Sequence, residues 1–586
     1  MTQTSQSATV SPWAPFRHRA FFWLWLGVVV SSVGSWAQTV GAQWLFVNDP
    51  NAATIITLIQ TASTLPMMLL ALPAGVLSDA FDRRWLLFGV QIYFIVVASL
   101  LAVLTAAGLM PPALLLAFTL AIGAGQAMQS PTWQALITEL VPRNELAAAT
   151  RLDMVSVNVA RAAGPALAGL VIAHWGVPPV FALNAVAVSV LAVVLLAWRR
   201  PRHTHAEREP FLPALIAGGR YVRHEPVVRR TLFRLATFIA PACAVWALLP
   251  LIASRQLGLS AAGYGLLFAA LGVGAVVGAL CLGWVKQHLS SNGVISLAAI
   301  GFALAFGALV LAPTIWVALP LLVVCGFGWT ATVSTIISEL QLFLPGWVRG
   351  RAIAIYLMVF LGSQAIASPI WGLITQHFGL SVAVLAAAGF AGVSAIGGLV
   401  LTVPENQHLD RSPVAYWGAA TVLLEPDPDA GPIVVSIEYE VTADQEADFL
   451  SAMESMRRSR LRSGASRWNL YRVGESPDLF LEQFQVPTWQ EHQRQHDGRL
   501  TAEDQAIEDE AFAHIVGSPR TEHLLPPETP GSRYRLLGND NPTLRCRSEL
   551  VGLPRRRPRA HPGRDGRVGT RLASVRHRRR RGTASG

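Results

Sequence analysis

The sequence predicts an all-α polytopic membrane protein: twelve transmembrane helices in two six-helix halves, followed by a small C-terminal α+β domain. Three observations lead there. Of 586 residues, 52% are hydrophobic and 14% charged, with a mean hydropathy of +0.42, whereas soluble domains carry about a quarter charged residues. Apolar segments long enough to cross a bilayer, roughly 20 residues each, recur as far as Val403. Beyond Pro404 the pattern changes to short alternating runs and amphipathic stretches. Disorder, collagen and a disulfide-stapled secreted fold are excluded by the same composition. The 18 Trp suit a membrane protein, where Trp gathers at the interfaces. Cys243, Cys281, Cys325 and Cys546 form no C-x-x-C pair, and three of them lie in apolar runs. They read as small hydrophobes, so neither a metal nor a disulfide is expected from them.

The net charge of +10 belongs to the tail. Residues 531–586 hold 16 Arg against Asp540, Glu549 and Asp565, which leaves the remainder of the chain at −3. No nucleic-acid footprint survives that localisation.

The first dozen residues are polar, and 1–19, ending on Arg17-His18-Arg19, is expected to be a cytoplasmic N-terminus. The apolar stretch after them runs to Val47 without a small-residue cleavage site, and is expected to be a first membrane helix, not a removable signal. Membrane helices are expected near 20–47, 54–77, 85–107, 112–133, 152–174 and 178–198, making a first half over 20–198. A central loop follows at 199–230. The second half, 231–403, is expected to hold helices near 231–253, 262–285, 292–312, 316–338, 350–376 and 381–403.

With the N-terminus in the cytoplasm, the cytoplasmic loops receive Arg83, Arg84, Arg143, Arg199, Arg200, Arg202, Arg223, Arg229, Arg230, Lys286, Arg349 and Arg351. Among the opposite loops Arg255 is the one exception. This is the positive-inside pattern, and it predicts a multi-pass protein of the cell (inner or plasma) membrane with both termini cytoplasmic.

The halves also repeat. Pro142 to Gly176 spans the same length as Pro345 to Gly379, and at that offset Gly169 meets Gly372, His174 meets His377, and Gly123 and Gly125 meet Gly326 and Gly328. Ile137-Thr138-Glu139-Leu140 is echoed by Ile337-Ser338-Glu339-Leu340. Six helices repeated in one orientation describe two transporter halves related by an axis along the membrane normal.

After a linker at 404–430, Gly431–Val441 alternates as a strand and Asp444–Arg462 reads as a helix. Trp468–Val473 and Leu479–Val486 are strands flanking the turn signal Gly474-Glu475-Ser476-Pro477. Thr488–Val516 is read as one helix and Thr521–Leu525 as a short strand. The order βαββαβ predicts a ferredoxin-like domain over 431–526. The Arg-rich tail, 527–586, has no hydrophobic periodicity and is expected to be disordered. A frameshifted reading of arginine-rich codons explains its composition at least as well as membrane attachment does.

Gly75-Val-Leu-Ser-Asp79-Ala-Phe-Asp82-Arg83-Arg84, between the second and third helices, resembles the G-x-x-x-D-(R/K)-x-G-R-(R/K) loop of the major facilitator superfamily. Gly75 is expected to permit a tight helix end. The resemblance implies a cytoplasmic gate in which Asp79, with Arg83 and Arg84, faces the N-terminus of the eleventh helix at Arg351. Ala80 and Asp82 depart from the family pattern. In the fifth helix, Asn158-Val-Ala-Arg161-Ala-Ala-Gly164-Pro165-Ala-Leu-Ala168-Gly169 resembles the G-P-x-x-G-G motif of drug exporters in the same superfamily, with Ala168 replacing one glycine. Gly164 and Gly169 allow close helix packing, and Pro165 frees the carbonyl four residues back.

Arg161 lies about ten residues inside its helix, ~15 Å deep at 1.5 Å per residue, and an arginine there costs at least ~2.5 kcal/mol unless it meets a cavity or a partner. Two readings stand at even weight: a cationic anchor for an anionic substrate group, with Asn158 beside it, or an arginine neutralised by freed carbonyls or a neighbouring acid. Carboxylates at Asp79, Glu139, Asp153 and Glu339 all sit near one membrane edge, so the coupling ion stays open, with a proton as the candidate. Glu139 and Glu339 are expected to pair with Arg143 and Arg351. Gln38, Gln43, Gln126, Asn184 and Gln364 are polar residues that line a cavity or bridge helices.

Glu139-Leu-Val-Pro142-Arg143-x-x-Leu146 running into Asn158-x-Ala-Arg161-x-x-Gly164-Pro165, together with Gly219-Arg220-Tyr221-Val222-Arg223-His224 and Arg349-Gly350-Arg351-Ala352, resembles the enterobactin-exporter branch of the superfamily, of the transmembrane secretion effector type. It covers about 15–404. What it implies is a secondary-active transporter exporting a siderophore, drug-like or other hydrophobic small molecule by alternating access. The soluble domain resembles the antibiotic-biosynthesis-monooxygenase-like family, in which Trp468, Asn469, Trp489, His492 and His496 are the residues able to carry chemistry. His492 and His496 share a helical face at a metal-gripping spacing, but two histidines without a third ligand are more often plain residues. The expectation is therefore no catalytic residue, no metal and no cofactor, with an accessory or dimerising role for this domain. The alternative is a membrane-anchored monooxygenase-like enzyme or sensor acting through it.

Overall fold

A computed structural model of the chain describes residues 11–198, 211–403, 414, 417, 422, 424–527 and 535–536. The Arg-rich segment 537–586 lies outside the described residues, as do most of 404–421 and the side chain of Asp79.

The first half consists of α1 (Arg19–Leu45), α2 (Ala52–Ala80), α3 (Arg83–Ala106), α4 (Pro112–Leu140), α5 (Leu146–Trp175) and α6 (Pro178–Ala197). An additional helix, α7 (Phe211–His224), occupies part of the stretch read as a loop. The seventh crossing begins at Pro226, earlier than hydropathy placed it, because Glu225 caps Val227 N–H and Pro226 starts the first turn. It runs as α8 (Pro226–Ala242), α9 (Ala244–Leu251) and a π turn at Ile252–Gln256. Then come α10 (Ala261–His288), α11 (Ser291–Ala308), α12 (Ile315–Phe343), α13 (Gly346–Phe378) and α14 (Leu380–Val400). Twelve helical stretches among the described residues are long and apolar enough to cross a membrane. Many of their large apolar side chains, such as Leu304, Trp316 and Val393, face outward, as a lipid solvent permits.

The sequence repeat has a packing counterpart. A Cβ on Gly123 of α4 would lie 2.7 Å from the Ser63 carbonyl oxygen of α2, and one on Gly326 of α12 would strike the Leu271 carbonyl of α10. Gly125 abuts Phe94 of α3, while Gly328 abuts Ala298 of α11. Equivalent glycines thus let equivalent helices approach in each half. Gly176 and Gly379 end α5 and α13 at φ +83° and +90°, the left-handed region that glycine enters without penalty. The chief apolar core gathers Phe238, Tyr264, Phe268, Phe302, Phe306 and Trp371, mostly of the second half.

The strand pair β1 (Leu424–Glu425) and β6 (Arg535–Leu536) forms a compact unit of its own. The C-terminal domain holds β2 (Ile433–Glu440), α15 (Glu446–Ser463), β3 (Arg467–Arg472), β4 (Leu479–Val486), α16 (Trp489–Arg494), α17 (Ala502–Phe512) and β5 (Arg520–Leu524). Its four strands pair antiparallel in the order β3-β4-β2-β5. Val435, Ile437 and Tyr439 alternate inward against Phe449, Met453 and Met456 of α15. The helix read over 488–516 is broken in two. Gly498 takes φ +107°, and Thr501 with Asp504 forms a capping box that starts α17. The linker before the domain is partly anchored: Trp417 donates its indole N–H to Glu508 at 3.0 Å, and Trp489 N–H bonds to the Ala430 carbonyl at 2.8 Å.

Candidate functional site

Small residues on α5 set how closely the halves meet. Within the first half, a Cβ on Gly164 would sit 2.6 Å from Trp36 Cβ of α1; between the halves, one on Gly169 would sit 2.7 Å from the Ala261 carbonyl oxygen and one on Gly265 2.5 Å from the Pro165 carbonyl oxygen. Gly372 of α13 presses equally on Thr57 of α2. Hydrogen bonds follow the same seam: Tyr264 donates to Gln43 at 2.5 Å, Thr61 to the Ala365 carbonyl at 3.0 Å, and Gln376 to the Pro50 carbonyl at 3.3 Å. These contacts concentrate at the membrane end remote from the C-terminal domain. Of the polar residues noted in the sequence, Gln38 pairs with Asn184, Gln43 with Tyr264 and Gln364 with Gln60, so these four bridge helices.

Toward the other end α5 and α10 part. Past the contact of Ala162 with Gly272 lies a cavity of about 490 Å³ lined by Val155, Asn158, Val159, Ala162 and Ala163 of α5 and Val276, Ala279 and Leu280 of α10. Asn158 is the polar group in that lining. Its amide donates to the Met154 carbonyl of its own helix at 2.8 Å.

Arg161, one turn from Asn158, holds its guanidinium carbon 5.4 Å from the Trp36 ring centroid. Its Nε is buried without a hydrogen-bond partner, and no carboxylate pairs with it among the described residues. Trp36 in turn stands edge-on to Phe268 of α10 at 5.9 Å. The guanidinium therefore rests on an aromatic ring that spans both halves, a cation–π contact worth ~0.5–2 kcal/mol and less than the cost of burying the charge.

The loop motif is arranged differently from the pattern it resembles. Gly75 lies within α2, which continues to Ala80, and a Cβ there would meet nothing within 4 Å; a tight helix end at Gly75 is overturned. Asp82 caps α3 by accepting Arg84 N–H at 2.9 Å and Trp85 N–H at 3.3 Å. Arg83 pairs with Glu139 at 2.6 Å, and Arg84 donates to the carbonyls of Leu195 and Leu196 at the end of α6. In the second half Glu339 takes Lys286 at 3.3 Å and Ser291 at 2.6 Å. Arg83 and Lys286, on helices packed beside these glutamates, thus hold the places expected for Arg143 and Arg351. Arg351 packs its stem on Gly218 of α7, with its guanidinium 6.0 Å from the Trp347 ring.

The C-terminal domain docks on this end of the bundle. Arg462 binds Glu225 at 2.8 Å and Asp504 at 2.7 Å. Arg220 of α7 reaches Glu491 at 3.5 Å, and Trp347 of α13 donates to the Arg499 carbonyl at 3.1 Å. Burial pushes the Asp504 carboxyl up, but Arg462 and hydrogen bonds from Ser459, Arg462 and Thr501 outweigh it and hold the group below the usual carboxylate range. Inside the domain Arg460 joins Glu482 at 3.1 Å and Glu508 at 3.3 Å under the Trp417 ring. Trp468 spends its indole N–H on Glu482 at 2.7 Å, and Asn469 is exposed. These two therefore do not converge with His492 and His496. What joins those histidines is His523 of β5, which sequence spacing missed because it lies on a different element.

The sequence profile described as transmembrane secretion effector matches residues 10–530. The enterobactin exporter EntS of Escherichia coli (strain K12) is 29% identical over 277 residues, covering 47% of this chain and 65% of its own. The chain thus spans just under two thirds of that relative's length. The staphyloferrin A transporter of Staphylococcus aureus (strain NCTC 8325 / PS 47) is 20% identical over 356 residues, 58% of this chain and 88% of its own. Among solved structures, a bacterial homologue of the human lysosomal transporter Spinster, inward-facing and unoccupied, superposes with a TM-score of 0.54 at 14% identity, covering 66% of this chain and 97% of that one. The D-xylose–proton symporter gives 0.53 at 15% identity, covering 66% and 98%. At these identities the shared property is the transporter fold of the major facilitator type.

Proposed function

Because the chain belongs to the transmembrane secretion effector family, we propose that it is a secondary-active exporter of a siderophore-like or other hydrophobic small molecule, working by alternating access. The observation that carries this reading is Arg161: a guanidinium within a membrane-spanning helix, resting on Trp36 with its Nε unpartnered, one turn from the cavity residue Asn158. An anionic oxygen of a substrate would supply the missing partner, and the apolar lining of Val155, Val159, Val276 and Leu280 would take its hydrophobic body. The names of the enterobactin and staphyloferrin A relatives favour a siderophore as the substrate class.

In this reading Gly164 packs α5 on α1 within the first half, and the two halves rock about the seam where Pro165 and Gly169 meet Gly265 and Ala261, closed at one end and parted at the other. Asp79, Arg83, Arg84 and Arg351 belong to the gate at the domain end, which the distribution of basic residues assigns to the cytoplasm. Residues 431–526 form an accessory domain, and the strand order β3-β4-β2-β5, with α15 in the first crossover and α16 and α17 in the second, supports a ferredoxin-like description. An enzymatic role for that domain is less favoured, since Trp468 is engaged in the Glu482 network and Asn469 faces out.

The test is comparative mass spectrometry of medium from an efflux-deficient host expressing the wild type, Arg161→Ala or Arg161→Lys, with membrane levels measured alongside. A metabolite released by the wild type, lost in Arg161→Ala at an unchanged membrane level and partly restored in Arg161→Lys is the expected result. Equal release from all three would remove Arg161 from substrate binding, and no release from any would leave only the fold.

A further inference from the structure

We propose that His492, His496 and His523 form a three-histidine site for a first-row divalent transition-metal ion, with Zn²⁺ as the reference ion. His492 and His496 stand one turn apart at the α16 segment, and β5 brings His523 across to meet them. The Nε2 atoms of His492 and His523 are 2.9 Å apart, and those of His492 and His496 are 3.3 Å apart. One ligand nitrogen from each ring falls within 4.8 Å of the other two. Tetrahedral zinc with bonds of about 2.0–2.1 Å separates its ligand nitrogens by about 3.3–3.4 Å. The three rings therefore need only small adjustments to share one ion.

The surroundings prepare the rings as ligands. Gln495, fully buried, places Oε1 3.0 Å from His492 Nδ1. A hydrogen bond there puts the His492 proton on Nδ1 and turns the Nε2 lone pair toward the other two rings, the orienting arrangement that metal-binding histidines generally have. Trp417 packs on His496 at 5.0 Å, and Trp489 packs on His492 at 5.5 Å and His523 at 6.1 Å, giving an apolar collar. Three imidazoles with no carboxylate or thiolate favour zinc, copper or nickel over calcium or magnesium, and leave a fourth position for water or another ligand. A hydrogen-bonded cluster of neutral histidines is the competing account.

The two accounts separate by metal titration of the full-length, tag-free protein in detergent after chelator treatment. Zn²⁺ is measured by equilibrium dialysis, and Co²⁺ by its visible spectrum. The expected result is one tight equivalent per chain, lost in His496→Gln and His523→Gln and retained in His514→Gln. His514 lies apart from the cluster, bonded to Gln445 at 2.8 Å. Gln495→Ala should weaken binding about 10–100-fold, as loss of an outer-shell partner does. Zn²⁺ binding of the same stoichiometry and affinity in the wild type and the cluster variants would overturn the proposal. If a variant fails to fold, the wild-type Co²⁺ spectrum decides: intense four-coordinate bands support the site, and the weak spectrum of the six-coordinate aqua ion overturns it.

Discussion

Arg462 of the C-terminal domain places Nη1 2.8 Å from Oε2 of Glu225, the residue that caps α8 of the bundle. Both side chains are buried, and the same guanidinium holds Asp504, the third-position partner of Thr501 in the capping box that starts α17. One arginine thus ties the start of the second membrane half to the start of a helix in the soluble domain. Breaking a buried pair by removing one partner costs about 3–5 kcal/mol because the other charge is stranded. Arg462→Ala should therefore undock the domain, with Glu225→Gln milder because the capping oxygen is kept. Limited proteolysis checks this: faster cleavage within 404–430 in Arg462→Ala is expected, and a cleavage rate equal to wild type would refute it.

Acid should loosen the same junction late. The Asp504 carboxyl is held below its ordinary value in the folded protein, so its stabilisation is full above the unfolded pKa of about 3.9 and is lost as pH falls through the folded value. Melting temperatures of the full chain and of Asp504→Asn should differ by a constant amount from pH 7 down to about pH 4, then converge below it. A gap that stays constant to pH 3 would show that the charge on Asp504 contributes nothing.

The twelve crossings were legible because bilayer thickness imposes both length and apolarity. The ends were not, since helices run on past the apolar stretch: α4 continues through Thr138 and Glu139 to Leu140, and α5 starts at Leu146. In the C-terminal domain the break at Gly498 and the Thr501–Asp504 capping box were present in the sequence as a glycine and a T-x-x-D string, yet a continuous helical pattern masked them. Partner choice was the least legible. Glu139 has Arg143 and Arg151 close by in sequence and Glu339 has Arg349 and Arg351, and only the packing of α3 and α10 selects Arg83 and Lys286 instead. Likewise nothing in the spacing brings Trp36 to Arg161, or His523 to His492.

Asp82, where the related loop has glycine, gives a third prediction. Its carboxylate caps α3, so Asp82→Ala should cost about 1 kcal/mol while Asp82→Asn and Asp82→Gly lose only a few tenths. Melting temperatures should rank accordingly, and export by Asp82→Asn should match wild type. Impaired export in Asp82→Asn at an unchanged melting temperature would assign the charge to the gate instead.

The seam yields the last. A methyl on Gly265 would be driven against the Pro165 carbonyl at 2.5 Å, and one on Gly169 against the Ala261 carbonyl at 2.7 Å. Both obstacles are backbone, so the helices must separate to relieve them. Overpacking of this kind costs about 1–3 kcal/mol, and it acts only on the arrangement in which α5 and α10 touch. Gly265→Ala and Gly169→Ala should therefore shift the population away from closure at the end remote from the C-terminal domain, by about 5–150-fold for that range of energies. Thr57, buried beneath Gly372 at the same end, is the reporter: Thr57→Cys, in a background with the four native cysteines replaced, should react faster with a membrane-impermeant maleimide when either glycine is changed. Gly75→Ala, which meets nothing, should leave the rate unchanged. Equal rates in all backgrounds would mean that the glycine contacts do not govern closure at this end.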